Sequence, residues 1–269
     1  MKASQKSRSL FPAMRGGRAS MVGAFAFVLV ATPCAQAQDA GKIFKAMADY
    51  VTSQKIVSVA FDSATEVVTT DLQKIQFNSS GQVLLSRPDK VRIQRTGGYT
   101  DIELTFDGKT ATLLGKHLNA FAQVDAPGTV DELIDGLRDR LNVQIPGADL
   151  LMSDLNGTLM ADVTDAKHIG HGVVDGVECD HLAFRSAELD WQLWVEIGAR
   201  PIPRKYVITS KHVAGAPQYT LRIKEWKTDA TAGPDAFAFK PPADAKKVEI
   251  VAMVDIDEVP AGVVLGAKK

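Results

Sequence analysis

The stretch "DIELTFDGKTATLLG", residues 101–115, decides the fold class. Two runs that alternate apolar and polar residues flank Asp107-Gly108. Period-two alternation marks strands with one dry and one wet face, and such faces belong to antiparallel sheets. Asp-Gly between two such runs is a hairpin signal, because a tight turn needs positive φ at its centre. A two-residue turn there sets Leu104 opposite Ala111 and Ile102 opposite Leu113, so the apolar faces meet in register.

The pattern continues toward the N-terminus. In "IVSVAFDSATEVV" (56–68), Val57, Val59 and Phe61 share a face while Ser58 and Asp62 take the other. In "KIQFNSSGQVLLS" (74–86), Ile75, Phe77, Val83 and Leu85 point one way. Val91 and Ile93 alternate with Lys90, Arg92 and Gln94. Before these strands, Ile43, Phe44, Met47, Tyr50 and Val51 recur at helical spacing and predict one amphipathic helix.

Toward the C-terminus, helices interrupt the sheet. "TVDELIDGLRDRL" (129–141) opens with Thr129 and places Glu132 three residues later, the pattern of a capping box. Its apolar stripe includes Val130, Leu133, Ile134 and Leu137. After Pro146-Gly147, "ADLLMSDLNGTLM" (148–160) predicts a second short helix carrying Leu150, Leu151, Leu155 and Leu159. Strands resume near His168, and in "DWQLWVEI" Trp191, Leu193, Val195 and Ile197 share a side. The order helix, meander, two helices, meander predicts an α+β chain, mainly β. Its strongly curved antiparallel sheet forms a half-open, incomplete barrel with helices over the concave face.

The ends and the composition speak to compartment. Lys2, Lys6, Arg8, Arg15 and Arg18 precede the apolar run "MVGAFAFVLVA" (21–31), and "CAQAQD" follows with small residues at Ala35 and Ala37. This is the layout of a cleaved export signal over residues 1–37, with processing after Ala37 and release into the periplasm of a Gram-negative cell. The residues before Cys34 lack the leucine and small residue of a lipoprotein signal. The domain is expected over residues 38–250, with a tail at 251–269.

The leader carries five basic residues and no acidic one, so the chain's 31 basic and 32 acidic residues become 26 and 32 after processing, a net charge of about −6. That balance argues against a nucleic-acid surface. Of the two cysteines, only Cys179 remains after processing, so no internal disulfide is available.

One stretch invites a chemical reading. "KHIGHGVVDGVECDH" (167–181) holds three of the five histidines. A two-residue turn at Asp175-Gly176 sets Val174 opposite Val177 and His171 opposite Asp180. Regular alternation then places His168, Cys179 and His181 on one face and His171 on the other. Cys179 and His181 alone fall short of a zinc site, which needs three or four ligands. Cys179, Asp180 and His181 are consecutive, so no nucleophile–base–carboxylate constellation forms on a strand. There is no phosphate-cradling glycine loop or dinucleotide fingerprint, and the expectation is a protein without cofactor or catalytic site.

Larger stretches carry a resemblance. They are "RPDKVRIQ" (87–94) followed by "FDGKTATLL" (106–114), "GVECDHLAFRSAELDWQLWVEIGARPIPRKYVITSK" (176–211), "GAPQYTLRIKEW" (215–226) and the closing "DAFAFKPPADAKKVEI" (235–250). Over about residues 41–250 the chain resembles a family of predicted periplasmic proteins of unknown function. Those proteins are similar in plan to the lipoprotein-localisation carriers LolA and LolB and to the regulator RseB. The resemblance implies a half-open barrel that shelters acyl chains beneath its helices. On that basis a hydrophobic ligand, such as a lipid, an acyl chain or a lipidated polypeptide, is expected against Phe61, Phe77, Ile93, Leu104, Leu133, Leu137, Leu151, Leu155, Trp191 and Leu193. The tail after Ile250 departs from the carriers. The alternative is an interaction or sensor module of the same fold with a filled core and a protein partner. Transient membrane contact fits either reading; a hydrolase or metalloprotein built on Cys179 and His181 is the remaining possibility.

Overall fold

The computed structural model describes residues 33–141, 145–228, 230–253 and 256–260. Helix α1 (Pro33–Ser53) leads into six strands, β1 (Ile56–Val68), β2 (Lys74–Ser86), β3 (Lys90–Gly97), β4 (Asp101–Phe106), β5 (Thr110–Gly115) and β6 (Ala120–Asp125). Helix α2 (Val130–Leu141), a 3-10 turn (Ala148–Leu151) and helix α3 (Leu155–Met160) follow. A second meander comprises β7 (Asp165–Val174), β8 (Val177–Arg185), β9 (Leu189–Glu196), β10 (Pro203–Ser210) and β11 (Gln218–Lys227). The short β12 (Lys246–Lys247) comes last. Most of the expected leader lies outside the described residues, and α1 runs unbroken through the expected processing point. No helix among the described residues is long and apolar enough to cross a membrane.

The twelve strands among the described residues form one open, curved sheet, ordered β12-β6-β5-β4-β3-β2-β1-β11-β10-β9-β8-β7. The two meanders are joined where β1, the first strand of one, pairs antiparallel with β11, the last strand of the other. Every pairing is antiparallel except β12 with β6. The mainly-β, half-open architecture read from alternation is the one observed.

Local chemistry explains the elements. Residues at helical spacing in α1, namely Ala40, Phe44, Met47, Ala48 and Val51, are at most 2% exposed and face the sheet. At the start of α2, Glu132 Oε2 accepts the Thr129 N–H at 2.7 Å, and Thr129 Oγ1 accepts the Glu132 N–H at 3.3 Å, a completed capping box. The second expected helix is instead two pieces. Gly147 at φ 83 turns the chain into the 3-10 segment, and Asp154 restarts a helix by accepting the Gly157 N–H at 2.8 Å.

The β4–β5 hairpin also differs from a two-residue turn. Leu104 pairs with Leu113 and Phe106 with Ala111, two residues away from the expected register. Asp107 Oδ1 accepts the N–H groups of Lys109 at 3.0 Å and Thr110 at 2.8 Å, which holds a wider loop with Gly108 at φ 91. A shift of two residues leaves every side chain on its expected face.

The core lies on the helix-covered face of the sheet. Val57, Val59, Val83, Leu85, Val91 and Phe106 of the first meander meet Leu182, Phe184, Trp191, Leu193 and Val195 of the second, with Phe44, Met47, Val130, Leu133 and Leu155 from the helices. Phe44 packs edge-on against Phe184 and Trp191 at 5.5 and 5.6 Å between ring centroids.

Candidate functional site

Three places bear on function: the helix-covered face, the opposite face, and the β7–β8 hairpin. On the first, nine of the ten residues expected to hold a hydrophobic ligand belong to the core or pack against it. Leu133, Leu155, Trp191 and Leu193 are at most 6% exposed. Phe61, Ile93, Leu104, Leu137 and Leu151 are half-buried and pack against the same cluster. Phe77 stands apart, edge-on to Tyr99 at 5.5 Å. The Phe61 ring lies across the bare Cα of Gly81, where an added Cβ would sit 2.4 Å from its Cζ.

Beyond Phe61 the same face turns polar, and the expected tail enters there. Glu258, only 8% exposed at its side chain, accepts hydrogen bonds from Thr65 Oγ1 at 2.6 Å and from the Ser79 hydroxyl, and its Oε1 lies 3.5 Å from Arg95 Nε. Arg95 Nη2 also donates to the Ile256 carbonyl at 2.8 Å. Ser63 and Ser79 hydroxyls are 2.8 Å apart beneath this carboxylate. Burial, then the Glu258 charge, pushes the Tyr219 phenol up to about 12.

The opposite face carries a polar groove of about 590 Å³, lined by Asp62, Gln76, Asn78, Ser80, Thr96, Lys205, Thr220 and Arg222 among others. Its floor follows the pairing of the sheet: Trp194 opposes Lys205, Lys205 opposes Arg222, Arg222 opposes Asp62, and Asp62 opposes Ser80. Ser80 Oγ donates to Asp62 Oδ1 at 2.7 Å. At one end Lys205 Nζ sits 4.7 Å from the Trp194 ring centroid, and His181 stacks on Trp194 at 4.1 Å. Sequence reading missed this groove because each residue, taken alone, looks like an ordinary solvated strand position. The signal was the row of charges and hydroxyls that the register aligns.

In the hairpin, the Asp175-Gly176 turn forms as expected, with φ 48 and 81, Val174 opposite Val177 and His171 opposite Asp180. The expected division of histidines does not hold. A β-bulge between His168 and Gly170 pairs His168 with Leu182 and Gly170 with His181, leaving Ile169 as the additional residue. His168 thereby moves to the face of His171 and Asp180, away from Cys179 and His181. Its Nε2 lies 2.9 Å from Asp180 Oδ1, and His171 Nε2 lies 3.5 Å from the same oxygen. The available signal was Gly170 itself, since a glycine inside a strand pattern often marks a bulge; in the structure it sits at φ 127.

Cys179 and His181 share a face but are separately engaged. Cys179 is buried, and its Sγ contacts the Val177 carbonyl at 3.4 Å. Burial raises its thiol pKa, so it stays protonated at neutral pH, the opposite of an activated nucleophile. His181 Nε2 is 2.9 Å from Gln192 Oε1.

The chain is similar to several solved structures. An uncharacterized conserved protein from Thermus thermophilus is 12% identical, with 79% of this chain and 99% of that chain covered at a TM-score of 0.43. The MucA/MucB complex of Pseudomonas aeruginosa gives 14% identity over 75% of this chain and 61% of that chain, at 0.42. LprF from Mycobacterium bovis gives 10% over 73% and 96%, at 0.42. Among curated proteins, none matches. Residues 40–251 match a family described as predicted periplasmic protein, DUF2092. The chain therefore belongs to the DUF2092 family of predicted periplasmic proteins.

Proposed function

We propose that the protein is a non-catalytic periplasmic binding module that takes a polypeptide partner along the polar groove of its helix-free face. The observation that carries this reading is the contrast between the two faces. The helix-covered face is packed with buried side chains from both meanders and all three helices. The opposite face offers about 590 Å³ lined by hydroxyls, amides and the charges of Asp62, Lys205 and Arg222. An acyl chain entering that groove would strip water from these groups without replacing their hydrogen bonds, a loss for each one buried. A polypeptide supplies carbonyls, N–H groups and side-chain carboxylates that satisfy them.

The test is site-specific photo-crosslinking in the native cell envelope, with the photoreactive residue at Ser80 or Thr220 and a control on α1 at Lys42. A discrete protein adduct is expected from the groove positions and not from the control. The reading fails if the groove positions give no adduct.

Carriage of a lipid, acyl chain or lipidated polypeptide is the second reading, and one observation favours it. Ile93, Leu104 and Leu113 pair directly across β3, β4 and β5 on the helix-covered face, and all three are only half-buried. An apolar ligand docking on that row would gain roughly 0.8 kcal/mol per buried methylene. Native mass spectrometry and lipid extraction of the purified protein separate the two: a stoichiometric amphiphile establishes carriage and displaces the first reading.

A further inference from the structure

We propose that His168, His171 and Asp180 form a binding site for one divalent transition-metal ion of the zinc class, independent of the groove. His171 and Asp180 are direct cross-strand partners, so their side chains leave the β7–β8 hairpin on one face. His168 joins them through the bulge at Ile169. In an unbulged strand, residues 168 and 171 point to opposite faces. The bulge puts Ile169 55% into solvent and holds Gly170 at φ 127, a conformation that side-chain-bearing residues rarely adopt. Exposing an isoleucine and requiring a glycine both cost stability, and the local result is the re-aimed His168.

The donors suit the ion. One atom from each of His168, His171 and Asp180 lies within 4.8 Å of the others, and both Nε2 atoms converge on Asp180 Oδ1. A tetrahedral zinc with bonds of about 2.0–2.2 Å holds its donors a little over 3 Å apart. The cluster reaches that spacing by small side-chain rotations, for which the His171 side chain, 67% exposed, has room. Two imidazoles and one carboxylate are the donors preferred by zinc, cobalt, nickel and copper rather than by calcium or magnesium. Three protein ligands leave one position for water or for a donor from outside the chain. Asp180 is 18% exposed at its side chain and His171 67%, so one ligand is anchored while another stands in solvent.

The test uses the untagged chain, stripped with chelator. Zn²⁺ is titrated calorimetrically, and Co²⁺ is followed by its visible d–d bands. One equivalent of each ion is expected, with Co²⁺ bands of four- or five-coordinate character. His171→Ala, at an exposed position, should weaken binding at least about tenfold, and His168→Ala/His171→Ala should abolish it, with far-UV circular dichroism unchanged. Cys179→Ser/His181→Ala should bind as the parent does. The proposal is overturned if the parent takes up no ion, if the double histidine variant binds equally well, or if binding disappears in Cys179→Ser/His181→Ala instead.

Discussion

Two glycines show how far a single Cα decides the packing here. An added Cβ on Gly81 would lie 2.4 Å from the Phe61 Cζ and 2.4 Å from the Gln94 carbonyl oxygen, so Phe61 must leave its place and the β2–β3 backbones must also move apart. Gly81→Ala is expected to destabilise the fold by about 1–3 kcal/mol, read as a lowered midpoint in urea. Gly41, inside α1, meets nothing within 4 Å, and there alanine should stabilise by about 0.5–1 kcal/mol through helix propensity. Equal effects of the two substitutions would contradict the packing described. Neither glycine's role was legible beforehand, because alternation places Gly81 on the Phe61 face without revealing that the ring lies over it. His168 was misplaced for a related reason. A period-two reading assumes an unbroken strand, and one inserted residue at Ile169 reverses every face before it.

At the scale of elements, most of the strands, α1 and α2 were readable because the patterns that define them are local: alternation, helical spacing, and a capping box at Thr129 and Glu132; β6 and β12 were not read. The path of the C-terminal segment was not, because nothing near Glu258 announces that Thr65, Ser79 and Arg95 await it on β1, β2 and β3. Removing that carboxylate strands hydroxyls and a guanidinium at a site closed to most solvent. Glu258→Ala should therefore cost about 1–3 kcal/mol, measured by denaturant unfolding. Burial, with a smaller part from the same carboxylate, sets a pH response at Tyr219. The Tyr219 phenol titrates near 10 when unfolded and at about 12 when folded, raised first by burial and then by Glu258. Its contribution, on the order of 3 kcal/mol, is complete below about pH 10 and is lost as pH rises through 12. Glu258→Gln should move the Tyr219 phenol back toward 10 in an ultraviolet titration; an unmoved value would show that burial acts alone.

For the molecule as a whole, the decisive feature is that the two meanders share one core and one sheet. β1 is hydrogen-bonded to β2 on one side and to β11 on the other, and Val57 and Val59 belong to the same cluster as Leu182 and Leu193. Unfolding either meander alone would expose the apolar face of the other and leave a long unpaired edge on β1 or β11, so neither is a stable intermediate. The described domain should unfold in one step. Leu193, fully buried where the second meander meets the core, provides the probe. Leu193→Ala is expected to cost about 2–5 kcal/mol. Its fluorescence transition, reported by Trp191, Trp194 and Trp226 of the second meander, should coincide with the far-UV transition to which both meanders contribute. Two separated transitions, with fluorescence lost first while much of the β signal persists, would mean that the first meander stands without the second, and the junction between β1 and β11 would then be only a contact between two independent sheets.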